Sequence, residues 1–491
     1  GSEMCIRDRL GISDWSKRMY VKKHIQSVVD RSFTPKQIMF SFGVLVFFLI
    51  LNVNLYGDLS FSSLNVYAVI SFLVNGLLWI FLLVNEVMKK SFSLFFIVWF
   101  FCLYFFFFAG FTQYTHSYYP WISYAFSDSQ IFTFNICLLL WTFSLLAGSK
   151  FCGGRSRRSR KISDEILHDK IWIFILSASL ICGYRIVTVG ISNLFSRSTS
   201  EVAVSINTSL SMVIDKLLMS IMYFSTAYSI LHFRKYKKKF PMIICGLCML
   251  VAYFPTGSAR NVIAGLYLGC FLLMFPSLRH NKVFSVMFMI SFMIVFPLLN
   301  AFRNTSFSEV DIFKALKSIM NNYATEWLAG DYDAYTMFGT TFNYVKENGS
   351  SLGYQLLGVL LFFVPRSIWG TKPYGSGYFL GDNLGWSFKN VSCPLPGEML
   401  INFGMIGMLI FALLFGFLIK LLDNTYWQNS SGDDFNVFDP LYCYMVGYFL
   451  FICRGDLLSS FAYLMSVIFV WLILNLKDLK GENSKITKCK Q

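Results

Sequence analysis

Long apolar runs alternate with short polar stretches along almost the whole chain. The apolar runs recur at about 18 to 22 residues, enough for a helix to cross the ~30 Å hydrocarbon layer of a bilayer. Backbone groups inside a bilayer must bond within their own segment, so such runs predict helices. The pattern predicts about twelve transmembrane helices, at 37–56, 64–84, 91–111, 130–149, 171–190, 211–232, 240–256, 261–277, 283–301, 398–422, 440–453 and 459–476.

One long interruption divides this pattern. The chain then consists of an N-terminal segment at 1–36, nine spans over 37–301, a large loop at 302–397, three spans over 398–476 and a tail at 477–491. A loop of that length without structure of its own is uncommon, so we expect a folded, helical cap. The predicted fold class is an all-α polytopic membrane protein. We interpret the first ten residues, GSEMCIRDRL, as an assembly scar without functional meaning.

Charge predicts the orientation of the spans. Only 14% of the residues are charged, against 55% hydrophobic ones, and this excludes an ordinary soluble domain. The net charge of +15 comes mostly from the N-terminal segment, 153–161, 234–239 and the tail, which alternating spans place on one side. Lys and Arg are retained in the cytoplasm, so both termini are predicted to be cytoplasmic. Short basic runs beside a membrane do not favour a nucleic-acid partner.

Four arginines lie at the outer ends of spans, against this rule: Arg260 in TGSARNVIAG, Arg303 in AFRNTSF, Arg366 in FVPRSIW and Arg454 in FICRGDLLSSF. Arg260 falls in the first turn of a predicted helix, where the helix dipole disfavours a cation by ~0.3–1 kcal/mol. A phosphate bound at that point would remove the conflict. The set predicts a site for a membrane-embedded diphosphate. For each arginine, pairing with an acid such as Asp456 or contact with lipid phosphates is the alternative.

The segment VPRSIWGTKPYGSG at 364–377 predicts a stiff loop that contacts sugar. Trp369 and Tyr374 offer flat faces for sugar rings, Lys372 adds a cation, and Gly377 allows close approach of the backbone. Proline and aromatic residues limit the loop's freedom, which lowers the ordering cost of binding. An aromatic belt at the membrane interface is the alternative explanation for the tryptophan.

The motifs of the second half occur in an order that resembles a known family. They are TGSARNVIAG, AFRN, EWLAGDYDAY, FVPRSIWGTKP, SCPLPGEMLINFGMIG and CRGDLLSSF, and they extend over roughly residues 240–465. Ten residues separate Arg366 from Gly377, a spacing found in a periplasmic loop of that family. The series resembles the Wzy-type O-antigen and capsule repeat-unit polymerases, and among them the enterobacterial common antigen polymerase branch.

The resemblance implies a GT-C-like glycosyltransferase with a periplasmic cap in the bacterial inner membrane. Such an enzyme moves a growing glycan from undecaprenyl diphosphate to the non-reducing end of an undecaprenyl-diphosphate-linked repeat unit. Its partners would be these lipid-linked glycans, the bilayer, a chain-length regulator and a flippase. We expect Arg260, Arg303 and Arg454 near the donor diphosphate, and Arg366 and Lys372 on a loop that closes over the substrate.

Acids beside these motifs are candidates for the general base and for sugar binding. Glu398 lies in the first turn of a predicted span and is the candidate base, although an acid is also favoured there by the helix dipole alone. Asp331 and Asp333 form a DxD pattern, and with Asn261 and Asp456 they are predicted to bind substrate. The resemblance implies a reaction without metal or cofactor.

Two other functions fit the same pattern of spans. An O-antigen ligase is also a lipid-linked glycan transferase, but its family uses a histidine in the large outer loop, and residues 301–396 contain none. A repeat-unit flippase is a transporter, and transporters commonly show internal repeats and short outer loops. Neither internal repeats nor short outer loops are evident here. The ligase and the flippase are kept as alternatives to the polymerase.

Overall fold

The computed structural model describes residues 64–191, 193–195, 209–280, 282–301, 326–429 and 435–476, with a few isolated positions between 39 and 317. These described residues fold into helices, and a single antiparallel bridge joins Lys161 to Asn436. The helices are α1 (Val66–Lys90), α2 (Leu94–Thr115), α3 (Asp128–Cys152), α4 (Ile171–Val189), α5 (Ser209–Tyr236), α6 (Phe240–Ala252), α7 (Arg260–Met274), α8 (Val283–Ala301), α9 (Ala334–Asn348), α10 (Tyr354–Leu360), α11 (Ser376–Asn383), α12 (Leu395–Asn429), α13 (Phe438–Arg454) and α14 (Leu457–Leu474).

The helices follow the predicted apolar segments. Every predicted span from the second to the twelfth coincides with one helix. Among the described residues six helices, α1 to α4, α12 and α14, are long and apolar enough to cross a membrane, and α6, α7 and α8 are shorter apolar helices. The prediction of an all-helical membrane protein is confirmed at this level. The first predicted span, most of 302–325 with Arg303, and both terminal segments lie outside the described residues.

Helix α2 forms the centre of the bundle. Its sequence is apolar on every face, and a helix of that kind is normally enclosed on all sides. The helix is buried along almost its whole length and contains a π-helical stretch at Cys102–Ala109. The Asp423 carboxylate of α12 accepts a hydrogen bond from the Leu94 N–H at 2.9 Å and one from the Tyr442 hydroxyl at 2.6 Å. A carboxylate at a helix N-terminus is favourable, so Asp423 fixes where α2 begins.

Helices α3 and α12 approach each other through two glycines. A Cβ added at Gly148 would lie 1.9 Å from the Leu413 carbonyl oxygen, and one added at Gly416 would lie 2.1 Å from the Leu145 carbonyl oxygen. Small residues at such crossings let helix backbones touch, as in many membrane bundles. The contact ties α12, which carries Glu398 and Asp423, to the core.

Gly148→Ala is expected to lower the unfolding temperature of the purified protein, because the methyl group must push two backbones apart. Overpacking of this kind typically costs about 1–3 kcal/mol. Gly246→Ala on α6 is the matched control, since a Cβ there meets nothing within 4 Å. An equal melting temperature for both variants in detergent would contradict the close α3–α12 contact.

The large loop is only partly a cap, because α9 packs inside the bundle. Tyr335 of α9 is fully buried, and its hydroxyl donates to Asn135 Oδ1 at 3.2 Å. Gly110 of α2 makes room for it, since a Cβ there would lie 2.7 Å from the tyrosine ring. The Gln113 side chain of α2 donates to the carbonyls of Trp327 and Tyr332 at 3.0 and 2.9 Å. These contacts anchor the segment that carries Asp331 and Asp333.

Helix α12 is broken at Gly404, where φ is +68°. The break frees carbonyl groups, and the preceding loop satisfies them: the Ser351 N–H donates to the Ile401 carbonyl at 2.8 Å and the Gly353 N–H to the Asn402 carbonyl at 2.9 Å. The Asn402 side chain also accepts from the Leu356 N–H of α10 at 2.7 Å. A short, buried first part of α12, residues 395–402, is thereby held next to α14.

Candidate functional site

A cavity of about 940 Å³ lies among α7, α8, α13 and α14. Helix α13 runs from the basic segment, where the Val437 N–H donates to the Arg160 carbonyl at 2.8 Å, to Arg454 in the cavity wall. The cavity therefore opens at the end of the bundle opposite to the basic residues, and we call this the cavity end. Its polar lining comprises Trp121, Arg260, Asn261, Ser291, Asp331, Asp333, Asn390, Ser392, Arg454, Asp456 and Ser459.

Two arginine–carboxylate pairs form the polar part of the cavity. Arg260 begins α7, and its Nη2 donates to Asp331 Oδ1 at 2.6 Å. Arg454 ends α13, and its Nη2 donates to Asp333 Oδ1 at 3.2 Å. The two arginine side chains are only 14% and 19% exposed, so water weakens their charges little. The guanidinium of Arg260 also lies over the Phe296 ring, 4.2 Å from its centre.

Helix dipoles act differently on the two arginines. A cation at the end of a helix is favourable, and one at its start is not. Arg454 is thus favoured by α13, whereas Arg260 is opposed by α7. Asp331 offsets that conflict by pairing with Arg260, in the way that we predicted a bound anion would. Both arginines meet at one site because α7 and α13 run in opposite directions.

Asp333 joins four parts of the polypeptide. Besides Arg454, its carboxylate accepts hydrogen bonds from Trp121 Nε1 at 2.8 Å and from Ser392 Oγ at 2.6 Å. The residue is buried, and its two oxygens accept from three different side chains. Asp333 therefore organises the site, and sequence inspection recognised it only as half of a DxD pattern.

An aromatic platform at the cavity was not predicted. The Trp121 ring stacks on Phe388, with centres 4.9 Å apart and planes 25° apart. Trp121 has a left-handed backbone with φ of +71°, a strained conformation for a bulky residue. Its surroundings, SYYPWISY, have the same mixture of proline and aromatic residues that drew attention to 364–377. That composition could have identified Trp121 as well.

Asp456 supplies a third carboxylate to the cavity and caps α14. Its Oδ1 accepts from the Leu458 and Ser459 N–H groups at 2.9 and 3.4 Å, and its Oδ2 accepts from the Gly377 N–H at 3.2 Å. Burial raises the pKa of Asp456 above its usual range, although these backbone donors oppose the rise. The carboxylate is partly desolvated and still has an acceptor position to spare.

Glu398 lies behind this wall rather than in the cavity. It is buried, and its Oε1 accepts from the Leu457 N–H at 2.8 Å while its Oε2 accepts from Ser376 Oγ at 2.6 Å. The cavity lining does not include it. The described structure thus presents Asp456 to the cavity, and not the predicted base Glu398. The first turn of α12 is covered by α11 and the start of α14, and sequence spacing does not reveal that cover.

The remainder of the cavity is an apolar trench. Its walls come from α7, α8 and α13, and along α7 it extends from Arg260 to Phe271, a rise of about 16 Å. A Cβ at Gly447 of α13 would lie 2.4 Å from the Ala264 carbonyl oxygen, so α7 and α13 touch along one side. The apolar lining comprises Ile263, Ala264, Tyr267, Leu268, Phe271, Met287, Phe288, Phe292, Val295, Phe296, Leu450 and Phe451.

The cations of the 364–377 loop do not line the cavity. Lys372 Nζ donates to the carbonyls of Phe362 and Val364 at 2.7 and 2.9 Å. Arg366 donates to the carbonyls of Lys372 and Pro373, and its guanidinium lies 3.7 Å from the centre of the Tyr374 ring. Phe362 and Val364 follow the end of α10, and Lys372 satisfies their carbonyls, whereas Arg366 satisfies carbonyls within the loop itself.

The structure separates the thirteen predicted site residues into four groups. Those that line the cavity are Arg260, Asn261, Asp331, Asp333, Arg454 and Asp456. Glu398 and Gly377 support the wall, Arg366, Trp369, Lys372 and Tyr374 belong to the loop beside it, and Arg303 lies outside the described residues. Comparison with family models, with curated proteins and with solved structures found no match to this chain.

Proposed function

We propose that this protein is a lipid-linked glycan polymerase. It would transfer a growing glycan from undecaprenyl diphosphate to the non-reducing end of an undecaprenyl-diphosphate-linked repeat unit. The observation that carries the proposal is the arrangement of the cavity, in which two arginines stand at the head of an apolar trench. A polyprenyl diphosphate has the matching form, with a charged head on a long apolar chain.

The donor's diphosphate would bind between Arg260 and Arg454. Both guanidiniums are paired with a carboxylate, so a diphosphate would take the place of Asp331 and Asp333 on their donors. A diphosphate carries more charge and more acceptor oxygens than one carboxylate, and Arg binds such groups through two parallel hydrogen bonds. Charge develops on the leaving diphosphate during transfer, and fixed cations in a partly buried site stabilise it.

The reaction also needs a base for the acceptor hydroxyl. The hydroxyl oxygen attacks the anomeric carbon, the bond from that carbon to the diphosphate oxygen breaks, and its electron pair stays on the diphosphate. Asp456 is the best-placed acceptor for the hydroxyl proton, because it lines the cavity and has a free acceptor position. Glu398 would act as a positioning residue, since it binds Ser376 and the Leu457 N–H next to Asp456.

Polymerisation is expected to fall at low pH as Asp456 becomes protonated. Burial raises the pKa of this residue, so the acidic limb of the pH–rate profile should lie above the value of about 3.9 that is usual for Asp. Asp456→Asn should remove the activity at every pH, whereas Asp382→Asn on the exposed surface should leave the profile unchanged. A wild-type profile in Asp456→Asn would contradict the assignment of the base.

The setting of this proposal is a GT-C-like enzyme of about twelve spans in a bacterial inner membrane. Both termini would be cytoplasmic and the cavity would open to the periplasm. The basic residues at the opposite end of the bundle support this orientation. A chain-length regulator and a flippase are the expected partners.

Deletion of the gene in its host tests the proposal. Surface polysaccharide is extracted and separated on a stained gel. A polymerase predicts that the ladder collapses to a single repeat unit. Polymer that accumulates on undecaprenyl diphosphate would indicate a ligase, and repeat units that accumulate on the inner leaflet would indicate a flippase.

A further inference from the structure

The proposed reaction brings two diphosphate-bearing lipids together, and the cavity accounts for one of them. Its arginines, Arg260 and Arg454, stand at the head of one trench. The other predicted cations, Arg366 and Lys372, bind backbone carbonyls instead. A second anionic head group therefore needs cations elsewhere at the cavity end of the bundle.

Two cations at this end have no hydrogen bond or ion pair to an acid among the described residues. Arg185 of α4 lies over the Tyr253 ring, with its Cζ 5.2 Å from the ring centre, and its buried Nε has no hydrogen-bond partner in the part of the chain that the structure describes. Lys216 of α5 lies over the Tyr463 ring, with its Nζ 4.8 Å from the ring centre. Among the described residues its ammonium donates only to the Met212 carbonyl, at a long 3.3 Å.

Asp215 lies near Lys216 and attracts its charge, but it forms no ion pair with either cation among the described residues. Adjacent residues on a helix point in different directions, and the described structure has no hydrogen bond or ion pair from Asp215 to either cation. Among the described residues, these two positive charges against one acid leave an excess of positive charge. Charged side chains within an apolar bundle are costly and mark functional sites when no partner satisfies them.

Both cations adjoin the cavity through aromatic residues. The Tyr463 ring carries Lys216 over one face, and the residue also lines the cavity. Tyr253 faces Arg185, and its carbonyl accepts from the hydroxyl of Tyr267, which also lines the cavity. Tyr463, and Tyr253 through its bond with Tyr267, thus connect the two cations to the lining of the cavity.

We propose that Arg185 and Lys216 form a second subsite for the phosphate head of a membrane lipid, next to the first across the Tyr463 wall. The inference rests on the proposed function and deepens it: the second subsite holds the acceptor lipid, while Arg260 and Arg454 hold the donor. The two head groups then lie on either side of one wall, and the acceptor's glycan extends to the carboxylates at the polar end of the cavity.

Native mass spectrometry of the purified full-length protein with undecaprenyl phosphate tests this subsite. The wild type is expected to bind two copies. The double variant Arg185→Gln/Lys216→Met should bind one, and Arg260→Gln/Arg454→Gln should lose the other. Arg158→Gln, an exposed change at the basic end, is the matched control and should bind two. Parallel samples contain excess phosphatidylglycerol or inorganic pyrophosphate.

Two copies retained in Arg185→Gln/Lys216→Met would overturn the second subsite alone. Displacement of the second copy by phosphatidylglycerol would assign the cations to ordinary phospholipid and overturn the acceptor assignment. Displacement by pyrophosphate alone would assign the cations to a soluble anion and would also overturn the acceptor assignment. A wild type that binds no copy at all would contradict the proposed function as well. If the double variant fails to fold, the conservative Lys216→Arg is expected to retain both copies, and Lys216→Ala alone to lose one.

Discussion

Cells that carry Arg454→Ala are expected to make single repeat units and no chains longer than these. Arg454 is the cation that α13 favours and Asp333 orients, and it would stabilise the charge on the leaving diphosphate. Removal of one such fixed donor typically lowers a rate by about 10²- to 10³-fold. A ladder needs many successive transfers, so a loss of that size should leave only the shortest products. The measurement is a glycan ladder from a deletion strain that expresses the variant.

Arg454→Lys separates charge from geometry in the same assay. Lysine keeps the charge and loses the planar pair of donors, so it should restore only a small part of the chain length. Arg158→Ala is the matched control, because it removes an exposed arginine at the basic end. Each variant must be present in the membrane at the wild-type level. Ladders of normal length from Arg454→Ala would refute the role of this arginine.

Asp333→Ala is expected to have the largest effect on stability. The substitution leaves three donors without their acceptor, on Trp121, Ser392 and Arg454, and one of these is a cation. Breaking a buried ion pair by removing one partner typically costs about 3–5 kcal/mol. The strained backbone of Trp121 would lose the contact that holds it. We expect a large fall in the unfolding temperature in detergent, together with loss of polymer.

Asp333→Asn keeps the shape of the side chain. Its unfolding temperature should lie between those of Asp333→Ala and the wild type. Asp382→Ala provides the control, because Asp382 is an exposed acid that pairs with Lys389 on the surface. Exposed pairs contribute little to stability. Equal unfolding temperatures for Asp333→Ala and Asp382→Ala would contradict the conclusion that Asp333 organises the site.

Helices and the arginine pair could be predicted because apolar length and misplaced charge are local signals. Each of α1 to α8 and α12 to α14 follows from a run of apolar residues. Arg260 and Arg454 stood out because they break the charge rule at a helix end, and the cavity lining contains both. Signals of this kind need no knowledge of which helices are neighbours.

Other features depend on contacts between distant segments and left no local signal. Helix α9 packs inside the bundle because Gly110 of α2 makes room for Tyr335, a match that neither segment reveals by itself. Lys372 donates to a backbone carbonyl just past the end of α10, and the local sequence does not show that this carbonyl lacks a helical partner. Glu398 lies behind the cavity wall because α11 covers the first turn of α12.

Reconstitution tests the central claim most directly. The purified protein is placed in vesicles that contain only an undecaprenyl-diphosphate-linked repeat unit, without added nucleotide or other proteins, and the products are separated by mass. A polymerase predicts lipid-linked chains of two or more repeat units and one undecaprenyl diphosphate released for each bond formed. Repeat units that stay single, whether or not they cross the vesicle membrane, would contradict the account.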